Sequence, residues 1–179
     1  MACITKLTNA IAYNCDNGAT GITSAVIINK ADIASFTVAG GGTVSALTLA
    51  SGAKAYKIDT VKRSLVLSTA LKVNDGAPNA FTHTATITDM TSATSGAHFN
   101  ISNAMSNGSF VIISRPVGET TATIHGLYYG MSATAFNQSS HENGSWSTIT
   151  LETPENVIGE DNLSMSSADY NALYTAAVG

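Results

Sequence analysis

The stretch from Ala80 to Thr88, AFTHTATIT, alternates with a period of two, setting Phe81, His83, Ala85 and Ile87 against Thr82, Thr84, Thr86 and Thr88. Successive side chains of an extended chain point to opposite faces, so this segment can bury one face and leaves a threonine face wet or lightly packed. The same extended character recurs along the chain. Ala25 to Asn29, Ser35 to Ala39, Thr43 to Leu49, Ala55 to Thr60, Ser64 to Val73, Ser109 to Ser114, Thr121 to Met131 and Trp146 to Glu152 are all rich in β-branched and aromatic residues. Gly and Asn breakers such as AGGGT, NDGAPN, SNGS and ENGS separate them. The pattern predicts a mainly β fold, a sandwich or barrel.

Two segments depart from this period. Phe99, Ile101, Ala104 and Met105 have a loose helical spacing, and Asn107 with Gly108 is a helix stop, which predicts a flanking helix over Gly96 to Ser106. Near the end, Ser166 or Ser167 is placed to cap a short turn through Tyr170 and Leu173. No repeat of 20 to 50 residues and no low-complexity linker divides the 179 residues. One domain over 1–179 is expected, with an N-terminal arm over 1–20 and a C-terminal arm over 160–179.

Charge is scarce. Asp, Glu, Lys and Arg make up 11% of the chain, where roughly 25% is usual, and Ser, Thr, Asn and Ala take their place. A free monomer keeps itself soluble with a charged surface, whereas interface cores shed charges that would have to be desolvated. Homo-oligomerisation is the expectation. A net charge of -4 offers no broad basic surface for holding nucleic acid.

The charges that remain are polarised. Lys6, Lys30, Lys54, Lys57, Lys62, Arg63 and Lys72 precede residue 73, and Glu119, Glu142, Glu152, Glu155, Glu160, Asp161 and Asp169 follow residue 118. An uneven solvated surface explains this equally well. The sharper reading is a head-to-tail stack. On it Lys54, Lys57, Lys62 and Arg63 of one subunit face Glu142, Glu155, Glu160 and Asp161 of the next.

Catalytic and metal signatures are missing from the sequence. His83, His98, His125 and His141 form no HxH, HExxH or HxxxH set suited to zinc. No G-x-S-x-G elbow accompanies the many serines, and AGGGT lacks the Lys-Ser/Thr ending of a phosphate loop. Neither an enzyme nor a bound cofactor is expected. Tyr128, Tyr129 and Trp146 are the candidates for an aromatic contact, although a Tyr pair in a strand with one side in the core is the commoner arrangement. Cys3 and Cys15 lack CxxC spacing, and the N-terminal stretch lacks the continuous apolar run of a secretory signal. Reduced thiols are expected there, a disulfide being open only to an oxidising compartment. No stretch approaches the 18 apolar residues of a membrane span.

The order of these segments resembles a known family. A Cys-containing start ending in YNCDNG is followed by SAVIINKADI, the cationic AKAYKIDTVKRS, AFTHTATIT, a helix, NGSFVIIS and a final hairpin, GLYYGMSATAF to NGSWSTITLETPEN. This succession resembles the tail tube (major tail) proteins of tailed phages, of the variety found in phages infecting Bacteroidetes hosts. It spans about residues 3 to 158 and lies in pattern rather than in an invariant motif. The helix departs from the family in carrying Ser, Thr and Gly where Leu, Lys and Glu stand, and the segment from Ile158 to Gly179 is an extension.

The resemblance implies a β-sandwich or barrel with one flanking helix, assembled into six-membered rings that stack into a tube through which the genome passes. It implies a virion location, with assembly in the host cytoplasm. The implied partners are further copies of the chain and other tail proteins: a sheath if the tail contracts, a terminator, and a baseplate or tip. Phage DNA would traverse the lumen without specific binding. A lumen of Ser, Thr, Asn and a few acids fits that role, because each cation bound to phosphate adds a salt-dependent brake. The alternatives are a virion surface module of head-decoration or fibre type, and the tube of a bacterial contractile injection system.

Overall fold

Two short apolar runs, AVII in β1 (Ile22–Asn29) and FVII in β7 (Ser109–Pro116), form the spine of the structure. They pair antiparallel, Val26 opposite Ile113 and Ile28 opposite Val111. Their side chains alternate between two cores. Val26, Ile28, Val111 and Ile113 enter one cluster, while Ala25, Phe110 and Ile112 enter the other. A strand buried on both faces has no polar side to show, which is why these runs do not alternate as AFTHTATIT does.

This computed structural model describes residues 21–58, 60, 64–89, 96–138 and 147–179, with the side chains of 96–99 left out of the description. The remaining elements are β2 (Ile33–Ala39), β3 (Thr43–Leu49), β4 (Tyr56–Ile58), β5 (Leu65–Lys72), β6 (Ala80–Asp89), α1 (Gly96–Asn107), β8 (Ala122–His125), β9 (Met131–Gln138), β10 (Ser147–Glu152), β11 (Leu163–Met165) and α2 (Ser167–Ala176). A 3-10 turn, Lys30–Asp32, joins β1 to β2. The protein is mainly β, as its period-two pattern predicts.

The eleven strands among the described residues belong to one connected sheet, in the order β2-β3-β11-β8-β7-β9-β10-β6-β5, with β1 on the other edge of β7 and β4 beyond it. Along one edge of β7 two strands follow each other. Ile112 to Ser114 pair with β8, and Ser109 and Phe110 pair with β9. The sheet therefore divides at β7 into a β8-β11-β3-β2 wing over the first core and a β9-β10-β6-β5 wing over the second.

The expected strand from Thr121 to Met131 is two strands, β8 and β9, joined by a turn. Gly126 and Gly130 bound it with φ of 77° and 75°, and the N–H of Gly130 donates to the carbonyl of Gly126 at 2.9 Å. Left-handed backbone favours glycine. A Cβ on Gly130 would also lie 2.0 Å from Ser109 Oγ. Tyr128 and Tyr129 consequently sit in a turn and not in a strand wall.

The predicted helix is present and ends at Asn107, one residue beyond expectation. Gly108 follows it for a reason other than a left-handed stop, since its φ is not positive. A Cβ there would stand 2.4 Å from the Phe110 ring, so the bare backbone lets Phe110 pack beneath α1.

The segment 160–179, expected to extend as an arm, is built into the fold. Glu160 bridges to Phe81, β11 sits between β3 and β8, and Val178 bridges to Tyr56. Ser166 caps α2 by accepting the Asp169 N–H at 3.2 Å. Tyr170, fully buried, donates its hydroxyl proton to Ser24 Oγ at 2.9 Å and stacks on Tyr174. An apolar anchor of that size gives the terminal helix a reason to dock. The expected arm over 1–20 lies outside the described residues.

Candidate functional site

Register converts the threonine alternation of β6 into a surface. Thr86 stands opposite Thr150, Thr88 opposite Thr148 and Thr84 opposite Glu152 on one side. On the other side Thr86, Thr84 and Thr82 stand opposite Val66, Ser68 and Ala70 of β5. β9 adds Asn137 beside Thr148 and Ala135 beside Thr150. Directly opposed residues share a face, so a four-stranded, largely uncharged surface of Thr, Ser, Ala and Asn around an exposed Val66 results, half-exposed at its threonines. Its opposite face carries Ala85, Ile87, Ile149 and Leu151 into the second core, where Met105 of α1 covers them.

Among the described residues, two charged side chains are in register with this surface. Glu152 lies beside Thr84. Lys72 lies at one end, opposite Ala80, and its ammonium donates to the carbonyls of Glu155, at 2.8 Å, and Val157. Among the described residues, this face offers hydroxyls, Val66 and the Glu152 carboxylate, and its one ammonium is engaged with carbonyls.

Both lateral edges of this wing lack a neighbouring strand among the described residues. β5 pairs with β6 alone. β9 pairs with β7 only at Met131 and Ser132, so its outer edge from Ala133 to Gln138 has no strand beside it. Its second half is exposed on both faces, from Thr134 to Gln138. Long open edges invite pairing with another chain.

The charged residues expected at contacts separate as follows. Lys54 and Lys57 are exposed in and before β4, Lys57 standing 5.0 Å from the centre of the Tyr174 ring. Glu155 is exposed at the other end of the β5–β6 hairpin, beside Lys72. Asp161 is half-buried. Glu160 is turned inward, 1% exposed. Its Oε2 accepts the Tyr128 N–H at 2.9 Å and its Oε1 the Tyr129 N–H at 2.7 Å. Its carboxylate clamps the Gly126–Gly130 turn, so it is not offered to a neighbour. Burial pushes its pKa up, and the two N–H groups oppose that rise. Lys62, Arg63 and Glu142 lie outside the described residues, as do Cys3, Cys15, His141 and Trp146; so does the side chain of His98.

His83 and His125 meet edge to face, ring centres 4.9 Å apart, and both are buried. His83 Nδ1 accepts the Gly126 N–H at 3.0 Å, which places the ring proton on Nε2. His125 Nδ1 has no hydrogen-bond partner among the described residues. Burial lowers the His83 pKa to about 4 and, with the neighbouring His83, that of His125 to about 3. Both are neutral at pH 7. The pair and Glu160 fix one turn from two sides, a structural role. Among the described residues no group of three His, Cys, Asp or Glu side chains is placed to hold a metal ion, and no helix is long and apolar enough to cross a membrane.

No family model, curated protein or solved structure matches the chain. Sequence reasoning found the threonines of β6. It missed that Thr148, Thr150 and Ser68 extend the same face, because that depends on register between strands far apart in the chain.

Proposed function

We infer that the chain is a structural subunit of a phage tail tube, assembling into rings, hexameric on the resemblance, that stack into a conduit for DNA. The observation that carries this reading is the β9-β10-β6-β5 wing, polar and nearly uncharged on one face, apolar on the other and, among the described residues, without a strand at either outer edge. Joining the β5 edge of one subunit to the β9 edge of the next satisfies both edges and continues the sheet around a ring. The threonine face then lines the lumen and α1 lies outside.

Such a wall conducts DNA by what it leaves out. Each phosphate neutralised by a protein cation releases counterions and steepens the salt dependence of binding by about 0.9 per contact. Hydroxyls hydrogen-bond water and impose no such hold. The scarcity of charge in the sequence fits the same account, since ring and stack contacts together cover much of the surface. The partners are further copies of the chain, neighbouring tail proteins and DNA in transit.

Negative-stain images of the purified protein test this reading. Rings or tubes with a central channel are expected. Isolated trimers would point instead to a surface-decorating or fibre protein and overturn it.

A further inference from the structure

The β5–β6 hairpin is apolar and exposed at one end, and it borders an apolar cleft at the other. At the closed end Leu71 and Val73, two residues apart on one face of the chain, are 62% and 71% exposed. Ile158, 54% exposed, is tied beside them, because Asn74 Nδ2 donates to its carbonyl at 2.8 Å. A single exposed apolar side chain is ordinary, but three held together form a knob.

At the open end of the hairpin lies a cleft of about 850 Å³, floored by Ile87, Ile149 and Phe110 and walled by Ile58 and Met105. Its rim is apolar as well. Tyr56, Ile101 and Val178 all line it and are 40% to 45% exposed. Leu71 opposes Phe81 and Leu65 opposes Ile87 across the hairpin, so knob and cleft open on the same face of the sheet. Seven or so residues at about 3.3 Å each place them roughly 23 Å apart along the strands.

We propose that the Leu71–Val73–Ile158 knob of one copy seats in the apolar cleft of a second copy, head to tail. The occupant is another copy of this chain because the chain itself carries both halves of the contact at opposite ends of one hairpin. Charge agrees with this orientation. The exposed charges around the knob are Asp75 and Glu155, with the Lys72 ammonium tied to the Glu155 and Val157 carbonyls; those at the cleft are Lys57 and Lys54, with Asp89 also in its lining but buried. Repeated by translation along the strands, a contact between two different patches generates an open stack; copies related by a two-fold would instead fill both clefts at once, and wild-type particles that pair once and stop would overturn the stack. The inference deepens the stacked-ring reading and rests on it for the ring as the repeating unit.

Two full-length variants test the contact. Leu71→Asn with Val73→Asn removes the knob without adding charge, and Ile101→Asn with Val178→Asn makes the rim of the cleft polar. All four positions are exposed, so circular dichroism should show an unchanged fold. Electron microscopy and sedimentation are expected to show tubes for the wild type, single rings for each variant, and a tenfold or greater rise in the concentration at which rings stack. Mixing the two variants should give ring pairs and nothing longer, because one intact knob face meets one intact cleft face. Tubes of wild-type length from either variant, or no pairs in the mixture, would overturn the contact and leave the ring reading standing. Open head-to-tail chains without rings, abolished in each variant, would uphold the contact and overturn the ring. A wild type that stays monomeric at every concentration would overturn both.

Discussion

The Gly126 N–H, in the turn between β8 and β9, donates to His83 Nδ1 on the buried face of β6 at 3.0 Å. That bond ties the threonine-bearing wing to the turn at which the sheet divides, and it requires His83 to stay neutral. The unfolded chain holds its histidines near 6.5, whereas the folded protein lowers them to about 4 and about 3. The unfolded state therefore binds protons first as pH falls. Their contribution to stability is complete above about pH 6.5 and is lost as pH drops toward 4 and then 3. Urea unfolding midpoints should fall over that window. His125→Phe should flatten the fall, since it removes the histidine with the lower folded pKa, and the larger ring should cost about 1–3 kcal/mol at pH 7.

Glu160 runs the opposite way. Its raised pKa means that the folded state holds the proton more tightly, a contribution present at low pH and lost as pH rises through the folded value. Glu160→Ala leaves the Tyr128 and Tyr129 N–H groups without their acceptor and should cost about 1–3 kcal/mol. Thermal melts at pH 7 read this directly. Glu160→Gln, which keeps one acceptor oxygen, should cost less.

The terminal helix offers two separable measurements. Ser166→Ala removes the acceptor of the Asp169 N–H and should cost about 1 kcal/mol. Tyr170→Ala empties a fully buried site and should cost about 3–5 kcal/mol. If 160–179 were an arm held only by neighbours, both substitutions would leave the melting of an unassembled subunit unchanged.

How much of this was legible in the sequence depends on distance along the chain. The alternation of β6 announced both its faces, and the Ser166 cap was legible because it is local. AVII and FVII could be read as strands, but not as a spine between two cores, because burial on both faces depends on what packs from each side. Gly126 and Gly130 lie inside a run that otherwise reads as one strand, and only the approach of Ser109 and the Glu160 carboxylate explains the turn. Glu160 itself looked like a surface acid. Its inward position follows from the Phe81 bridge, which joins residues 79 positions apart.

A lumen lined by hydroxyls predicts a specific response to added charge. Thr84→Lys with Thr150→Lys places two cations on the half-exposed threonine face. Assembled wild-type tubes should not retain DNA fragments at any salt concentration. The variant should retain them at low salt, with a slope of log affinity against log salt steeper by about 0.9 for each phosphate engaged.

A cryo-electron microscopy reconstruction of the assembled particle tests the central claim most directly. It should show a continuous sheet running from the β5 edge of one subunit into the β9 edge of the next, with Thr82, Thr84, Thr86, Thr88, Thr148 and Thr150 facing an open lumen and α1 outside. A particle with no central channel, or one in which β5 and β9 remain free edges while α1 faces the channel, would contradict it.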